Sequence, residues 1–185
     1  MNLVIIQARM GSTRLPGKVM KKILGKPLLF YLISQVKLSK KSNQIIVATT
    51  TLKEDDVIAS YVESLGISVF RGSADDVLDR YYECGKQNNS KTIIRLCADS
   101  PLIDYNIIDH CIDEFTRSDV DYLRNTIKNI NGKWIEGKNG FPVGLAVEVF
   151  SFDSLENAWK NTTKPSDREH VTEYIFQDRK STRLN

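Results

Sequence analysis

The chain has 185 residues, of which 41% are hydrophobic, 26% charged and 9% aromatic. That length and mixture predict one domain that buries a core without disulfides or a structural metal, and they exclude disordered, collagen-like and coiled-coil chains. The net charge of +3 is unevenly spread, because residues 1–53 carry ten Lys/Arg and no Asp or Glu, whereas residues 54–185 carry 16 basic and 23 acidic side chains.

Asn2–Ala8 is a short apolar, β-branched run and reads as a strand buried on both faces. Arg9–Lys18, with two glycines and a proline, reads as a loop. Pro27 suits the first turn of a helix that runs to Lys37 with Leu28, Leu29, Leu32, Ile33 and Val36 on one face. Gln44–Thr50 is the second predicted strand. Glu54–Leu65 is a helix with Val57, Ile58, Tyr61, Val62 and Leu65 inward, stopped by Gly66. Ile67–Arg71 is a strand, Asp75–Gln87 a helix, Thr92–Cys97 a strand and Ile107–Phe115 a helix. This alternation predicts an α/β fold with a mainly parallel sheet and helices on both faces. Polar β-like pieces then occupy Val120–Gly140, around the turn signals Asn131-Gly132 and Asn139-Gly140. Phe141–Phe152 is a further strand, and helices over Asp153–Lys160 and Pro165–Gln177 close the chain.

The apolar stretch Pro27–Val36 is too short to cross a bilayer, and Leu3–Ile6, followed at once by Arg9, is too short for a secretory signal. Cys84, Cys97 and Cys111 include no C-x-x-C pair, so free thiols in the cytoplasm are expected. The basic leader points to an anionic ligand. Its cations alternate with a strand and a helix and form no solvated arm, so a small phosphorylated ligand suits it as well as nucleic acid does.

Ligands of open α/β sheets bind beyond the carboxyl ends of the strands. The first strand hands over there to Arg9-Met10-Gly11-Ser12-Thr13-Arg14-Leu15-Pro16-Gly17-Lys18, whose cations, hydroxyls and glycines suit a triphosphate. It is not a P-loop, since five residues separate Gly11 from Gly17 and Val19 follows Lys18 where a magnesium-binding hydroxyl is required. Asp99, in Cys97-Ala98-Asp99-Ser100-Pro101, ends the fourth strand and either faces the same crevice as a Mg²⁺ ligand or caps the next helix. After the third strand, Gly72-Ser73-Ala74-Asp75-Asp76-Val77-Leu78-Asp79-Arg80 places Ser73 to cap a helix, with Asp79 and Arg80 one turn in. His110 and His170 form no zinc pattern, and no nucleophile elbow occurs.

The run Ile5 to Lys18 closely resembles the opening of the sugar-acid cytidylyltransferases, which activate acylneuraminate and ketodeoxyoctonate with CTP. The spore-coat polysaccharide biosynthesis protein F branch is the closer likeness. It shares Val69-Phe70-Arg71-Gly72-Ser73, Asp75 to Tyr82, the step from Asp99 to Asp104, Val147-Glu148-Val149-Phe150-Ser151 and Arg168-Glu169-His170-Val171-Thr172. The resemblance implies a GT-A, Rossmann-like α/β/α sandwich of the nucleotide-diphospho-sugar transferase type. It implies attack of a sugar-acid hydroxyl on the α-phosphorus of CTP, with Mg²⁺ as cofactor, for surface or spore-coat polysaccharide biosynthesis. The site it implies joins Ala8, Arg9, Gly11, Ser12, Arg14, Lys18, Arg71, Asp79 and Arg80 to the nucleotide. Arg14, Lys18 and Asp99 would be catalytic, Asp99 the metal ligand, and Glu148, Arg168 and His170 sugar contacts. It also implies a homodimer made through a β-arm insert at 120–140, with neither nucleic acid nor membrane as partner. Family members carry a late acidic motif resembling Val-Asp-Thr-Pro-Glu-Asp that is not found in residues 1–185, so a single domain without its C-terminal segment is expected. Ala146 stands where the branch has aspartate, and Cys97 where the ketodeoxyoctonate enzymes have glutamine. Two competing readings are a glycosyltransferase of the same fold, with Asp119-Val120-Asp121 as its metal motif, and a non-catalytic nucleotide-binding module.

Overall fold

Strand β1 (Asn2–Gln7) sends alternate side chains into two different cores. Leu3 and Ile5 enter one, Val4 and Ile6 the other, and none is exposed, which requires a central strand covered on both sides. The computed structural model describes residues 1–12, 14–125, 127–128, 134–135, 144–177 and 181–183. After β1 come the short strands β2 (Lys22–Ile23) and β3 (Lys26–Pro27), α1 (Leu28–Val36), β4 (Gln44–Thr50), α2 (Asp56–Ser64), β5 (Ser68–Gly72) and α3 (Val77–Gln87). Next are β6 (Thr92–Cys97), α4 (Tyr105–Arg117), β7 (Tyr122–Arg124), β8 (Ile127–Lys128), β9 (Trp134–Ile135) and β10 (Glu148–Ser151). Helices α5 (Phe152–Asn161), α6 (Pro165–His170), α7 (Glu173–Gln177) and strand β11 (Ser181–Arg183) complete the described chain.

Among the described residues the main sheet has seven strands in the order β11-β7-β10-β6-β1-β4-β5. Strands β6, β1, β4 and β5 are mutually parallel, and β10 runs antiparallel to both β6 and β7. Helices α1, α2 and α4 bury Leu32, Val36, Ile58, Val62, Ile108 and Ile112 against one face. Helices α3 and α5 bury Leu78, Tyr81, Leu155 and Ala158 against the other. The predicted three-layer α/β/α sandwich with a mainly parallel mixed sheet is therefore the observed one.

Several expected boundaries and faces are corrected. Val57 is exposed and Ala59 takes its place inward, because α2 begins at Asp56 after a separate 3₁₀ turn (Lys53–Asp55). Asp76, not Ser73, caps α3 by accepting the Asp79 amide at 2.9 Å, while the Ser73 hydroxyl accepts the Asp76 amide at 3.1 Å. Asp99 caps no helix, since α4 starts at Tyr105 under the Asp104 cap. The helix expected over Pro165–Gln177 is broken at Val171, which has φ 64° and is fully buried. The Thr172 amide donates to the His170 carbonyl at 2.6 Å across this γ-turn. Within 120–140, Tyr122–Arg124 is a strand of the main sheet, and Ile127–Lys128 pairs with Trp134–Ile135 in a separate ribbon. The rest of the expected arm (126, 129–133 and 136–140) lies outside the described residues, as do 141–143 of the strand predicted from Phe141.

Candidate active site

The carboxyl ends of β1 and β6 lie side by side, with Gln7 opposite Cys97, and the chain leaves both toward the same side of the sheet. A cleft of about 290 Å³ opens there. Its lining includes Arg9, Ser12, Arg14 and Lys18 from the loop after β1, Asp99 from the loop after β6, and Arg80 from α3. Two segments far apart in sequence thus converge because their strands are parallel neighbours.

Backbone hydrogen bonds shape the basic loop. The Met10 carbonyl accepts both the Ser12 and Gly17 amides at 2.8 Å, so the chain folds back on itself between them. Gly17 has φ 66°, a left-handed conformation that glycine adopts without strain. Lys18 reaches across to form an ion pair with Asp99, joining the two loops over the cleft. Arg9 and Arg14 have no ion-pair partner among the described residues.

Arg80 is 2% exposed, and its Nη1 donates to the Ser73 carbonyl at 3.0 Å, while its Nε has no hydrogen-bond partner among the described residues. Burial lowers its pKa, the nearby Arg9 lowers it further, and Tyr81, Asp55 and Asp76 act the other way. A guanidinium keeps its proton regardless, so the cleft contains a buried positive charge without an ion pair among the described residues.

Arg95 lies at the cleft floor, two residues before Cys97 and therefore on the same face of β6. It donates through Nε to Gln7 Oε1 at 3.3 Å and through Nη1 to Glu148, whose other oxygen accepts from Tyr122, Arg124 and Thr172 at 2.8, 3.1 and 3.1 Å. Burial alone would raise the Glu148 pKa, but the two arginines and its hydrogen bonds hold it below the usual carboxylate range. Burial pushes the Cys97 thiol up despite the neighbouring Arg95, so it is not poised as a thiolate nucleophile.

The structure brings Ala8, Arg9, Ser12, Arg14, Lys18, Arg80, Asp99 and His170 together around this cleft. Gly11 stands in the same loop, where a Cβ would meet Glu54 Oε1 at 3.1 Å. Four other expected residues point elsewhere or are already engaged. Arg71 donates to the Thr50 and Leu52 carbonyls at 2.9 and 2.8 Å and to Asp56 at 2.6 Å, away from the cleft. Asp79 accepts the Trp159 indole N–H at 2.9 Å. Arg168 grips Asp76, with its Nε at 2.8 Å from the carboxylate, and Glu148 is enclosed by the network beneath the floor. Asp119 and Asp121 precede β7 and do not line the cleft.

Sequence reasoning missed Gln7, Arg95 and Glu169 as lining residues. A signal existed for Arg95, a lone cation in the apolar strand Thr92–Cys97, in phase with the strand's end.

The cytidylyltransferase family profile matches residues 3–183. The chain belongs to the cytidylyltransferases. It is 43% identical over 174 residues to an uncharacterised protein of Methanocaldococcus jannaschii, covering 94% of this chain and 66% of that one. Spore coat polysaccharide biosynthesis protein SpsF of Bacillus subtilis is 34% identical over 179 residues, with 94% and 69% covered. A 3-deoxy-manno-octulosonate cytidylyltransferase of Chlorobium chlorochromatii is 31% identical over 115 residues, or 61% of this chain and 45% of that one. The chain thus spans between about half and two thirds of the length of these relatives. The solved cytidylyltransferase of Leptospira borgpetersenii superposes with a TM-score of 0.87 at 32% identity, over 99% of this chain and 75% of that one. In the present chain the cleft walls are cationic, and Asp99 is ion-paired with Lys18 where the two loops cross.

Proposed function

We propose that this cytidylyltransferase transfers CMP from CTP to a hydroxyl of a sugar acid of the nonulosonic type, in the cytoplasm, for a surface polysaccharide such as a spore coat. The observation that carries the triphosphate half of this reading is Arg80, a buried guanidinium without an ion pair among the described residues, lining a cleft that Arg9, Arg14 and Lys18 also line. A buried charge of that kind is costly unless an anion completes it. The sugar-acid half is supported by the motifs shared with the acylneuraminate and ketodeoxyoctonate enzymes and by the similarity to the 3-deoxy-manno-octulosonate cytidylyltransferase of Chlorobium chlorochromatii. His170 and Glu169 line the same cleft from α6 and would meet the sugar.

In the proposed reaction the sugar hydroxyl oxygen bonds to the α-phosphorus while the bond to the bridging oxygen breaks and pyrophosphate leaves. Such transfers depend on positioning and charge neutralisation, which arginine forks and a lysine supply without a covalent intermediate. The donor set also suits Mg²⁺, a hard cation that needs only one or two carboxylates beside phosphate oxygens and water. Among the described residues no cluster of three His, Cys, Asp or Glu forms a complete metal cage, so Asp99 would hold the ion together with the triphosphate. Bound there, Mg²⁺ would neutralise charge on the phosphates. Homodimers are part of the same proposal.

Titration calorimetry with CTP, UTP, ATP and GTP in the presence of Mg²⁺ tests the reading. Selective CTP binding that weakens in Asp99→Ala is the expected result. Equal binding of all four, or a tight UDP-sugar complex without CTP binding, would overturn it.

A further inference from the structure

The basic loop after β1 is held by an acid that neither the motif pattern nor the cleft lining includes. Asp55 is fully buried, yet it belongs to the 3₁₀ turn Lys53–Asp55 beyond the end of β4. Its Oδ1 accepts the Met10 amide at 2.6 Å, and its Oδ2 accepts the Thr50 amide at 3.3 Å together with the Thr50 hydroxyl. No cation pairs with it among the described residues, so backbone and hydroxyl donors alone satisfy this carboxylate. The preceding residue contributes too, since Glu54 Oε1 lies 3.1 Å from where a Cβ on Gly11 would sit. This turn therefore holds the first amide after Arg9 and brings Glu54 close against Gly11.

The turn is itself gripped from the edge strand. Arg71 of β5 donates to the Thr50 carbonyl, the Leu52 carbonyl and the Asp56 carboxylate, which brackets Asp55 on both sides in sequence. These contacts form a physical chain from Arg71 through the turn and Asp55 to Met10 and the loop that carries Arg9, Ser12 and Arg14. We infer that Asp55 is a positioning residue that clamps the anion-binding loop in register, and that Arg71 acts on the loop through it. This inference rests on the reading of the loop as a phosphate site. It gives Arg71 a role different from the direct nucleotide contact implied by the family motif.

The reason such a clamp matters is geometric. Cations on a loop bind a polyanion well only when their spacing is fixed beforehand, because otherwise binding must also order the loop.

Two measurements test the inference, one without ligand. Amide hydrogen exchange of Met10, read by NMR, is expected to accelerate strongly in Asp55→Ala and less in Arg71→Ala, and to remain slow in Asp55→Asn, whose side-chain oxygen still accepts that amide. Inorganic pyrophosphate, titrated by calorimetry, is expected to bind about tenfold more weakly in Asp55→Ala and to recover in Asp55→Asn. Arg71→Ala should weaken pyrophosphate in the parent chain and add nothing in the Asp55→Ala background, a coupling that two independent structural roles would not show. Unchanged Met10 exchange in Asp55→Ala, or additive losses in the double variant, overturns the clamp. Should Asp55→Ala fail to fold, unchanged Met10 exchange in Arg71→Ala overturns it equally. Absence of pyrophosphate and CTP binding in the parent chain would instead sink the functional reading, leaving the exchange experiment to decide the clamp.

Discussion

The floor and the walls of the cleft use the same residue types in opposite ways. Beneath the floor, Glu148 is 3% exposed and receives Arg95, Arg124, Tyr122 and Thr172, so its charge is matched where it stands. On the walls, and among the described residues, Arg9 and Arg14 have no ion pair and the buried Arg80 has no hydrogen-bond partner for its Nε. A matched buried charge is tolerated within the fold, whereas an unmatched one is a cost that a bound anion would remove. Glu148, which the family resemblance implies as a sugar contact, is already engaged by protein donors here.

The largest expected effect comes from breaking the matched side. Glu148→Ala should cost about 3–5 kcal/mol in denaturant unfolding, because it removes the buried carboxylate that Arg95, Arg124, Tyr122 and Thr172 share. A loss below about 1 kcal/mol would place Glu148 among the surface pairs and erase the distinction. On the unmatched side, Arg80→Met should retain or raise the unfolding midpoint while CTP affinity falls by about tenfold or more, equivalent to about 1.4 kcal/mol. A stability loss like that of Glu148→Ala would show that Arg80 is part of the scaffold. Arg14→Ala, at an exposed wall position, should leave stability within about 0.5 kcal/mol and weaken CTP by several-fold to about tenfold.

The smallest effect is in pH. Because the folded Glu148 pKa lies below its unfolded value, its contribution to stability is complete above the ordinary carboxylate range and is lost as pH falls through the lower folded value. Glu148→Gln should therefore flatten the acid side of the stability profile, measured as unfolding free energy against pH. An acid limb as steep as that of the parent chain would mean that other carboxylates control it.

Much of this arrangement was legible in the chain. The strands at Gln44–Thr50 and Thr92–Cys97 were expected with their observed ends, because buried parallel strands are short apolar runs bounded by turn residues. The phosphate-type loop could be read because its cations and glycines are consecutive in sequence. Local periodicity misled at Val57, where a 3₁₀ turn before α2 rotates the helix face, and at Val171, where a buried valine accepts a left-handed backbone. Nothing local announces that second break, since valine is among the residues least suited to positive φ. What holds Val171 there is its place in the core beneath α3 and the Thr172 bond to Glu148.

By itself, then, the sequence determined the layers, the central strands and the basic loop, since each depends on neighbours within a few residues of one another. Only the tertiary structure decided which charges are used up and which are free. Arg71, Arg80, Arg95 and Arg168 are alike as residues, yet one grips a turn, one is buried toward the cleft, one pairs with Glu148 and one with Asp76. That assignment follows from which carboxylates the folded sheet brings within reach of each guanidinium, and electrostatic pairing across scores of residues leaves no periodic trace in the chain.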